Sequence, residues 1–257
     1  LINLWFGENN VILLSVRNIS FWIYLLINKK IFSSFMSLTK KLQSNVEEYM
    51  GEIADELNIS IPFYPQVYWV GRNFSFKKIG VNGRDLEECY EIKKNSQSAY
   101  LAKYKIILVS ENNIVHISEE AGHCLHFSKT NLHERKNSYI EERALRIISE
   151  MFGYFCSKLI FPERINEFAI YPDHVFEKAE FEKFSLRNLL DKEEFLIYKQ
   201  GYDLGDLLFN AYVSREISKN EIRKLFLMDF KEPNSGLYTV INLKINLLNF
   251  EKKNIVN

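Results

Sequence analysis

Three of the five histidines of this 257-residue chain lie in one short segment, Ile114-Val-His-Ile-Ser-Glu-Glu-Ala-Gly-His-Cys-Leu-His-Phe127. On a helix, with about 100° between successive residues, its apolar side chains share one arc. The opposite arc holds His116, Glu119, Glu120, His123 and His126. This arrangement predicts an amphipathic helix over 114–127. Because imidazole and carboxylate are both zinc ligands, the polar arc is either a solvated face or part of a metal site.

A second helix is predicted from Ser138 to Ile160, where apolar residues recur at helical spacing. Glu141 falls in the middle of the apolar stripe, and Glu142 lies at its edge. A carboxylate that is buried without a partner is costly, so it usually has a cation, a hydrogen-bonding network or a metal. Glu141 is therefore a candidate metal ligand, with stabilisation by the N-terminal dipole of its own helix as the alternative.

The rest of the chain predicts an α+β protein, in which a small mixed sheet is followed by a mostly helical C-terminal lobe. Runs of β-branched and aromatic residues predict strands at 66–70 and 104–110. The segment 76–98 is expected to form turns, and a further strand in it stays open. Helical spacing also predicts the helices 38–58, 174–190, 193–215 and 219–228. The tail 231–257 has a turn signal and then an apolar run of partial alternation, which does not separate helix from strand.

Composition limits the classes of function. The chain has 33 Lys and Arg against 33 Asp and Glu, so a strongly basic nucleic-acid-binding protein is excluded and no nucleic-acid partner is predicted. The three cysteines, Cys89, Cys124 and Cys156, are far apart and form no Cys-x-x-Cys pair, which argues against a disulfide framework or a cysteine zinc site. Reduced thiols of this kind predict a cytoplasmic protein.

The first 35 residues differ from the rest because their only charged residues are Glu8, Arg17, Lys29 and Lys30. We expect residues 1–35 to lie outside the domain. Three explanations stay open: read-through upstream of a start at Met36, an interfacial or membrane helix, or a folded element. The apolar run 11–27 has about the length of a membrane span, but Arg17 near its middle opposes insertion. The expected domain is 36–230, and a membrane partner is expected only if residues 1–35 are translated.

The two central helices resemble those of the gluzincin metallopeptidases, the His-Glu-x-x-His zinc proteases with a distal Glu ligand, and among these the small minigluzincins most. Ile117-Ser-Glu-Glu-Ala-Gly-His123 is similar to the family's apolar-x-His-Glu-x-Gly-His helix, and Ile140-Glu-Glu-Arg-Ala144 is similar to the Glu-x-x-Ala segment that carries the distal ligand. The resemblance covers about 60–215. It implies a zincin-like active-site helix pair, with the strand 104–110 as the edge strand that aligns a peptide beside the substrate cleft.

The resemblance also implies a role for each matching residue. Glu120 would be the general base, and His123 and Glu141 would bind Zn²⁺. The first motif histidine is Glu119 here, so a carboxylate would replace an imidazole as ligand. The extra negative charge would make the metal a weaker Lewis acid. Further candidate ligands are His116, His126 and Glu142.

Three functions therefore stay open. The first is a zinc-dependent metallopeptidase that hydrolyses a peptide or protein substrate through a metal-activated water. The second is a degenerate, catalytically inactive pseudo-protease that serves as a binding or regulatory module. The third is a ferritin-like di-metal carboxylate protein, because Glu120-x-x-His123 matches the Glu-x-x-His motif of such sites, although the sequence offers no good second copy.

Overall fold

The computed structural model describes residues 2–5, 11–14, 16–71, 74–94, 98–110, 113–130, 138–168 and 186–255. The chain forms two compact units, Leu1–Leu42 and Gln43–Asn257. The first unit contains the antiparallel strands β1 (Ile2–Trp5) and β2 (Val11–Leu14), and the long helix α1 (Val16–Leu57) begins there and continues into the second. Among the described helices, none is both long and apolar enough to cross a membrane.

The second unit contains a three-stranded mixed sheet of β3 (Gln66–Trp69), β4 (Ala99–Leu101) and β5 (Ile106–Val109). β5 lies in the centre, parallel to β3 and antiparallel to β4. All four residues of β5 are apolar and buried, which is the pattern of a strand covered on both faces. The predicted small mixed sheet is therefore confirmed. The prediction that the strand 104–110 is an edge strand is wrong, because β3 and β4 pair with β5 on its two sides.

The segment before β4 is helical, where turns with an optional strand were expected. A short 3₁₀ turn covers Phe76–Ile79, and the helix α2 covers Arg84–Lys94. Asp85 and Glu87 lie in the first turn of α2, where the helix dipole favours negative charge. The helix buries Cys89 in a cluster with Phe76, Val81 and residues of β5. Tertiary packing thus decides a segment whose own sequence is mostly polar.

Among the described residues, the second unit contains five further helices: α3 (Ile114–Thr130), α4 (Tyr139–Ile160), α5 (Leu186–Val213), α6 (Lys219–Phe226) and α7 (Ser235–Ile255). The Ser138 side chain caps α4 by accepting a hydrogen bond from the backbone N–H of Glu141, and Ser218 and Glu221 form a capping box at α6. The mostly helical α+β class is confirmed. Most of the predicted helix 174–190 lies outside the described residues, and the tail left unassigned is largely the helix α7.

Helices α3 and α4 pack closely and run antiparallel. The Ser118 and Ser157 hydroxyls are 2.8 Å apart, and Ser149 Oγ lies 3.1 Å from His123 Nδ1. The later residue on α3 thus contacts the earlier residue on α4, as in an antiparallel pair. The approach requires small residues: a Cβ added at Gly122 would lie 2.6 Å from Cys156 Cβ. Helix α5 packs on the same α4, because a Cβ at Gly205 would lie 2.7 Å from the Met151 carbonyl oxygen. Helix α4 is therefore the centre of the lobe that the helices α3 to α7 form.

The buried carboxylate of Glu141 is bound by the N-terminus of α7. Its Oε1 accepts a hydrogen bond from Gly236 N at 2.7 Å, and its Oε2 accepts one from Leu237 N at 3.2 Å. Unpaired N–H groups and the helix dipole make this terminus a favourable anion site. The partner that the sequence required is thus the N-terminus of a distant helix rather than that of α4 itself or a metal ion.

We expect Glu141→Ala to lower the free energy of unfolding by about 2–4 kcal/mol, because one buried and one partly buried N–H group lose a charged acceptor. Urea unfolding monitored by circular dichroism measures this change. The matched control is Glu142→Ala, one residue away and exposed, for which a change within about 0.5 kcal/mol is expected. Equal effects of the two substitutions would contradict the capping role of Glu141.

Candidate metal centre

Two carboxylates and one imidazole converge between α3 and α4. Glu119, His123 and Glu150 each offer one ligand atom, and these atoms all lie within 4.8 Å of one another. Glu119 and His123 are one turn apart on α3, so their side chains project side by side. Both are buried, with 4% and 8% of their surface exposed. This group can hold a metal ion.

The His123 imidazole is held in one orientation by α4. Ser149 Oγ lies 3.1 Å from its Nδ1, and Glu150 Oε2 lies 3.6 Å from its Nε2. The ring lies against Gly153, where an added Cβ would come within 2.5 Å of two ring atoms. Burial alone would lower the pKa of His123, but the charges of Glu150, Glu120 and Glu119 outweigh it and raise the pKa to about 9. Metal binding at His123 would therefore release a proton.

Glu119 has a partner on each carboxylate oxygen. Tyr202 on α5 donates its hydroxyl to Oε1 at 2.5 Å, and Arg164 Nη2 lies 2.7 Å from Oε2. The guanidinium of Arg164 also lies over the rings of Tyr154 and Tyr202, at 4.5 Å and 5.0 Å from their centroids. Sequence reasoning missed Arg164 and Tyr202, since an arginine beyond the end of α4 and a tyrosine on a later helix give no local signal.

Glu120 lies beside the cluster and contacts the sheet. Its Oε2 accepts a hydrogen bond of 2.6 Å from the backbone N–H of Tyr100 in β4. Burial raises the pKa of Glu120 to about 7, with contributions from the charges of Glu119 and Glu150, although His123 and the Tyr100 N–H act in the opposite direction. A carboxylate with such a pKa can accept or donate a proton near neutral pH, as a general acid or base must.

The carboxylate that α4 contributes to the cluster is Glu150, and Glu141, which the sequence predicted as a ligand, does not lie in it. The two residues are about 13.5 Å apart along the axis of α4 and about 180° apart around it, by standard helix geometry. The register between α3 and α4 places Ser149 and Glu150 opposite His123. Glu141 faces α7 instead. The sequence signal that selected Glu141, a carboxylate in an apolar stripe, identifies a buried charge but not its partner.

The remaining predicted ligands also lie apart from the cluster. His116 Nε2 pairs with Glu167 Oε1 at 3.2 Å, and this contact raises the pKa of His116. Glu142 is exposed. His126 is fully buried among aromatic rings, with ring centroids of Phe152 at 4.6 Å and Phe226 at 5.0 Å. Neither ring nitrogen of His126 has a hydrogen-bond partner among the described residues, and burial lowers its pKa to about 3.

In the part of the chain that the structure describes, one group of three or more His, Cys, Asp or Glu side chains could hold a metal ion, and it consists of Glu119, His123 and Glu150. The second Glu-x-x-His group that a ferritin-like di-metal site needs is not among these residues. All three cysteines are buried as free thiols. Comparisons with family models, with curated proteins and with solved structures give no match for this chain.

We expect Gly153→Ala to displace the His123 ring and to weaken binding of a metal ion, probed with Zn²⁺, about tenfold or more, since a methyl group cannot fit against the ring. A competition titration with a chromophoric chelator measures the affinity. Gly51→Ala is the matched control, because that helical glycine has no atom within 4 Å of the added Cβ. Unchanged zinc affinity in a folded Gly153→Ala protein would exclude His123 as a ligand.

We expect His126→Phe to stabilise the protein more at pH 5 than at pH 7. The folded pKa of His126, about 3, lies below its unfolded value, so the unfolded chain takes up a proton as pH falls below about 6.5. By pH 5 the free energy of unfolding of the wild type thereby falls by up to about 2 kcal/mol, whereas that of the Phe variant is unaffected by this proton uptake. Urea unfolding at the two pH values measures the difference.

The control for this prediction is His116→Gln, which should give the opposite sign. Pairing with Glu167 raises the folded pKa of His116, so its contribution to stability is present below the unfolded pKa and is lost as pH rises. The Gln variant should therefore be at its greatest disadvantage at pH 5. If His126→Phe raised the free energy of unfolding equally at both pH values, the conclusion that His126 is buried in its neutral form would be contradicted.

Proposed function

We propose that this protein is a zinc-dependent, gluzincin-like metallopeptidase. In it Glu119, His123 and Glu150 hold the metal and Glu120 is the general base, on a zincin-like pair of helices, α3 and α4. One observation carries the proposal: two buried ligands and one half-buried ligand converge from these helices directly beside a third carboxylate, Glu120, whose pKa burial raises to about 7. The donor set fits zinc, because nitrogen and carboxylate oxygen are its usual ligands and three protein ligands leave a position open.

Zinc in such a site supplies a water of lowered pKa and polarises the scissile carbonyl. The chain's own contribution is proton transfer and orientation. Glu120 takes a proton from the attacking water and returns it to the leaving amine, for which a pKa near neutrality is suited. Ser149 fixes the His123 ring by its contact with Nδ1, which leaves Nε2 directed to the cluster.

A peptide substrate is supported by the position of β4. Among the described strands, β4 pairs with β5 alone, so its other side is an edge. The backbone N–H of Tyr100 in β4 donates a hydrogen bond to Glu120, so this residue lies beside the strand. An extended peptide can add to such an edge through backbone hydrogen bonds, which would bring its carbonyl groups close to Glu120. β4 thus takes the peptide-aligning role that was expected of the strand 104–110.

The second candidate is a metal-free pseudo-protease, and the contact between Arg164 and Glu119 favours it. A guanidinium 2.7 Å from a buried carboxylate neutralises that charge without a metal ion. Glu150 can likewise be neutralised by a protonated His123, whose pKa is raised to about 9. In that case the ionic cluster would stabilise a binding module. The two candidates differ in whether zinc binds.

Elemental analysis of the purified full chain after dialysis against Zn²⁺ decides between them, and about one zinc per chain is expected. Glu120→Gln should keep this zinc and lower hydrolysis of a fluorogenic peptide library by about 10²-fold or more, because the base is lost. In the wild type, kcat/KM should rise with pH as Glu120 loses its proton, at a pH below the value of about 7 in the metal-free chain, because the zinc charge favours the ionised carboxylate.

The matched control is the exposed Glu142→Gln, for which zinc content and activity should equal those of the wild type. A chain that stays metal-free at saturating zinc contradicts the peptidase and leaves the pseudo-protease. Full activity in Glu120→Gln would remove Glu120 as the base.

A further inference from the structure

We propose that Arg164 compensates for the charge of the carboxylate at position 119, with Tyr202 orienting that carboxylate, so that Glu119 acts on the metal as a ligand of no net charge. This inference rests on the proposed metal site. A site of Glu119, His123 and Glu150 alone carries two negative charges, whereas His₂Glu zinc sites carry one. The paired guanidinium of Arg164 removes the excess charge.

The geometry around Glu119 suits this role. Arg164 and Glu119 are both buried, with 2% and 6% of their side chains exposed, so solvent does little to screen their attraction. Tyr154 and Tyr202 lie against the guanidinium and fix its plane. Tyr202 also donates to the second oxygen of Glu119, so both oxygens are oriented.

These contacts leave Glu119 able to bind a metal. An ionised carboxylate has about four lone-pair sites, and the two contacts occupy one on each oxygen. A further carboxylate near Arg164 does not change the balance. Glu167 Oε1 is 3.9 Å from Nη2, but its side chain is 51% exposed and solvent screens it. Arg164 is thus a positioning residue that acts through Glu119.

The charge count predicts an order of zinc affinities. Arg164→Met gives a site with two negative charges, so zinc should bind about tenfold more tightly or better. Glu119→His with Arg164 retained gives a neutral site, so zinc should bind about tenfold more weakly. The double variant Glu119→His/Arg164→Met has one negative charge again, and its affinity should return to that of the wild type. Arg164→Lys keeps the charge but loses the planar group that stacks on Tyr154 and Tyr202, so its zinc affinity should lie between those of the wild type and Arg164→Met.

The experiment is a chelator-competition titration of Zn²⁺ on the full chain and these variants. Lys158→Met is the matched control, because it removes a buried cation that pairs with Asp206 at 2.6 Å and not with Glu119. Its zinc affinity should be unchanged. Structural damage alone would weaken binding in Arg164→Met, whereas loss of compensation strengthens it while slowing peptide hydrolysis, since the metal becomes a weaker Lewis acid.

The result that overturns the inference is zinc binding in Arg164→Met that is no tighter than in the wild type. If Arg164→Met does not fold, the double variant Glu119→His/Arg164→Met provides the test instead, because it has no unpaired carboxylate at position 119. Affinity in the double variant that stays as weak as in Glu119→His would equally overturn it. Failure of the proposed function gives a different result, because the wild type then takes up no zinc at all.

Discussion

The close antiparallel packing of α3 on α4 determines the site. Gly122 and Gly153 allow the two backbones to approach to distances at which a Cβ would collide with Cys156 or with the His123 ring. At that separation the register is fixed by specific contacts, Ser118 with Ser157 and His123 with Ser149. The register in turn selects Glu150 as the carboxylate opposite His123. A shift by one turn of either helix would present a different set of side chains.

Three buried charges among the described helices have partners from other elements of the fold. Glu119 pairs with Arg164, Glu141 with the N-terminus of α7, and Lys158 with Asp206 on α5. This follows from the cost of burying a charge alone, which greatly exceeds that of burying it paired. The same pairing connects the site to the rest of the fold, because Arg164 and Tyr202 come from outside the two site helices. The cluster at Glu119 therefore depends on the docking of α5 and of the segment after α4.

Sequence patterns predicted the elements with strong periodicity. The helices α3 and α4 and the strands β3 and β5 lie where apolar spacing and β-branched runs placed them, because these signals reside in the local sequence. The prediction failed for α2, a short and mostly polar segment in which Leu86, Cys89 and Tyr90 nevertheless follow helical spacing, and for the place of β5 in the sheet. Strand order depends on which strand pairs on each side, and β4 is a three-residue strand with almost no signal of its own.

The sequence by itself determined that His123, Glu119 and Glu120 share one region of a helix, since positions one turn apart project together on any α-helix. It also determined that Glu141 is buried, since Glu141 falls within an apolar stripe. Only the tertiary structure decided what each charge meets: Glu150 for His123, Arg164 and Tyr202 for Glu119, and the α7 backbone for Glu141. These partners lie from 27 to 96 residues away along the chain. Helical periodicity carries no information over such separations, so the contacts follow from the register and docking of whole helices.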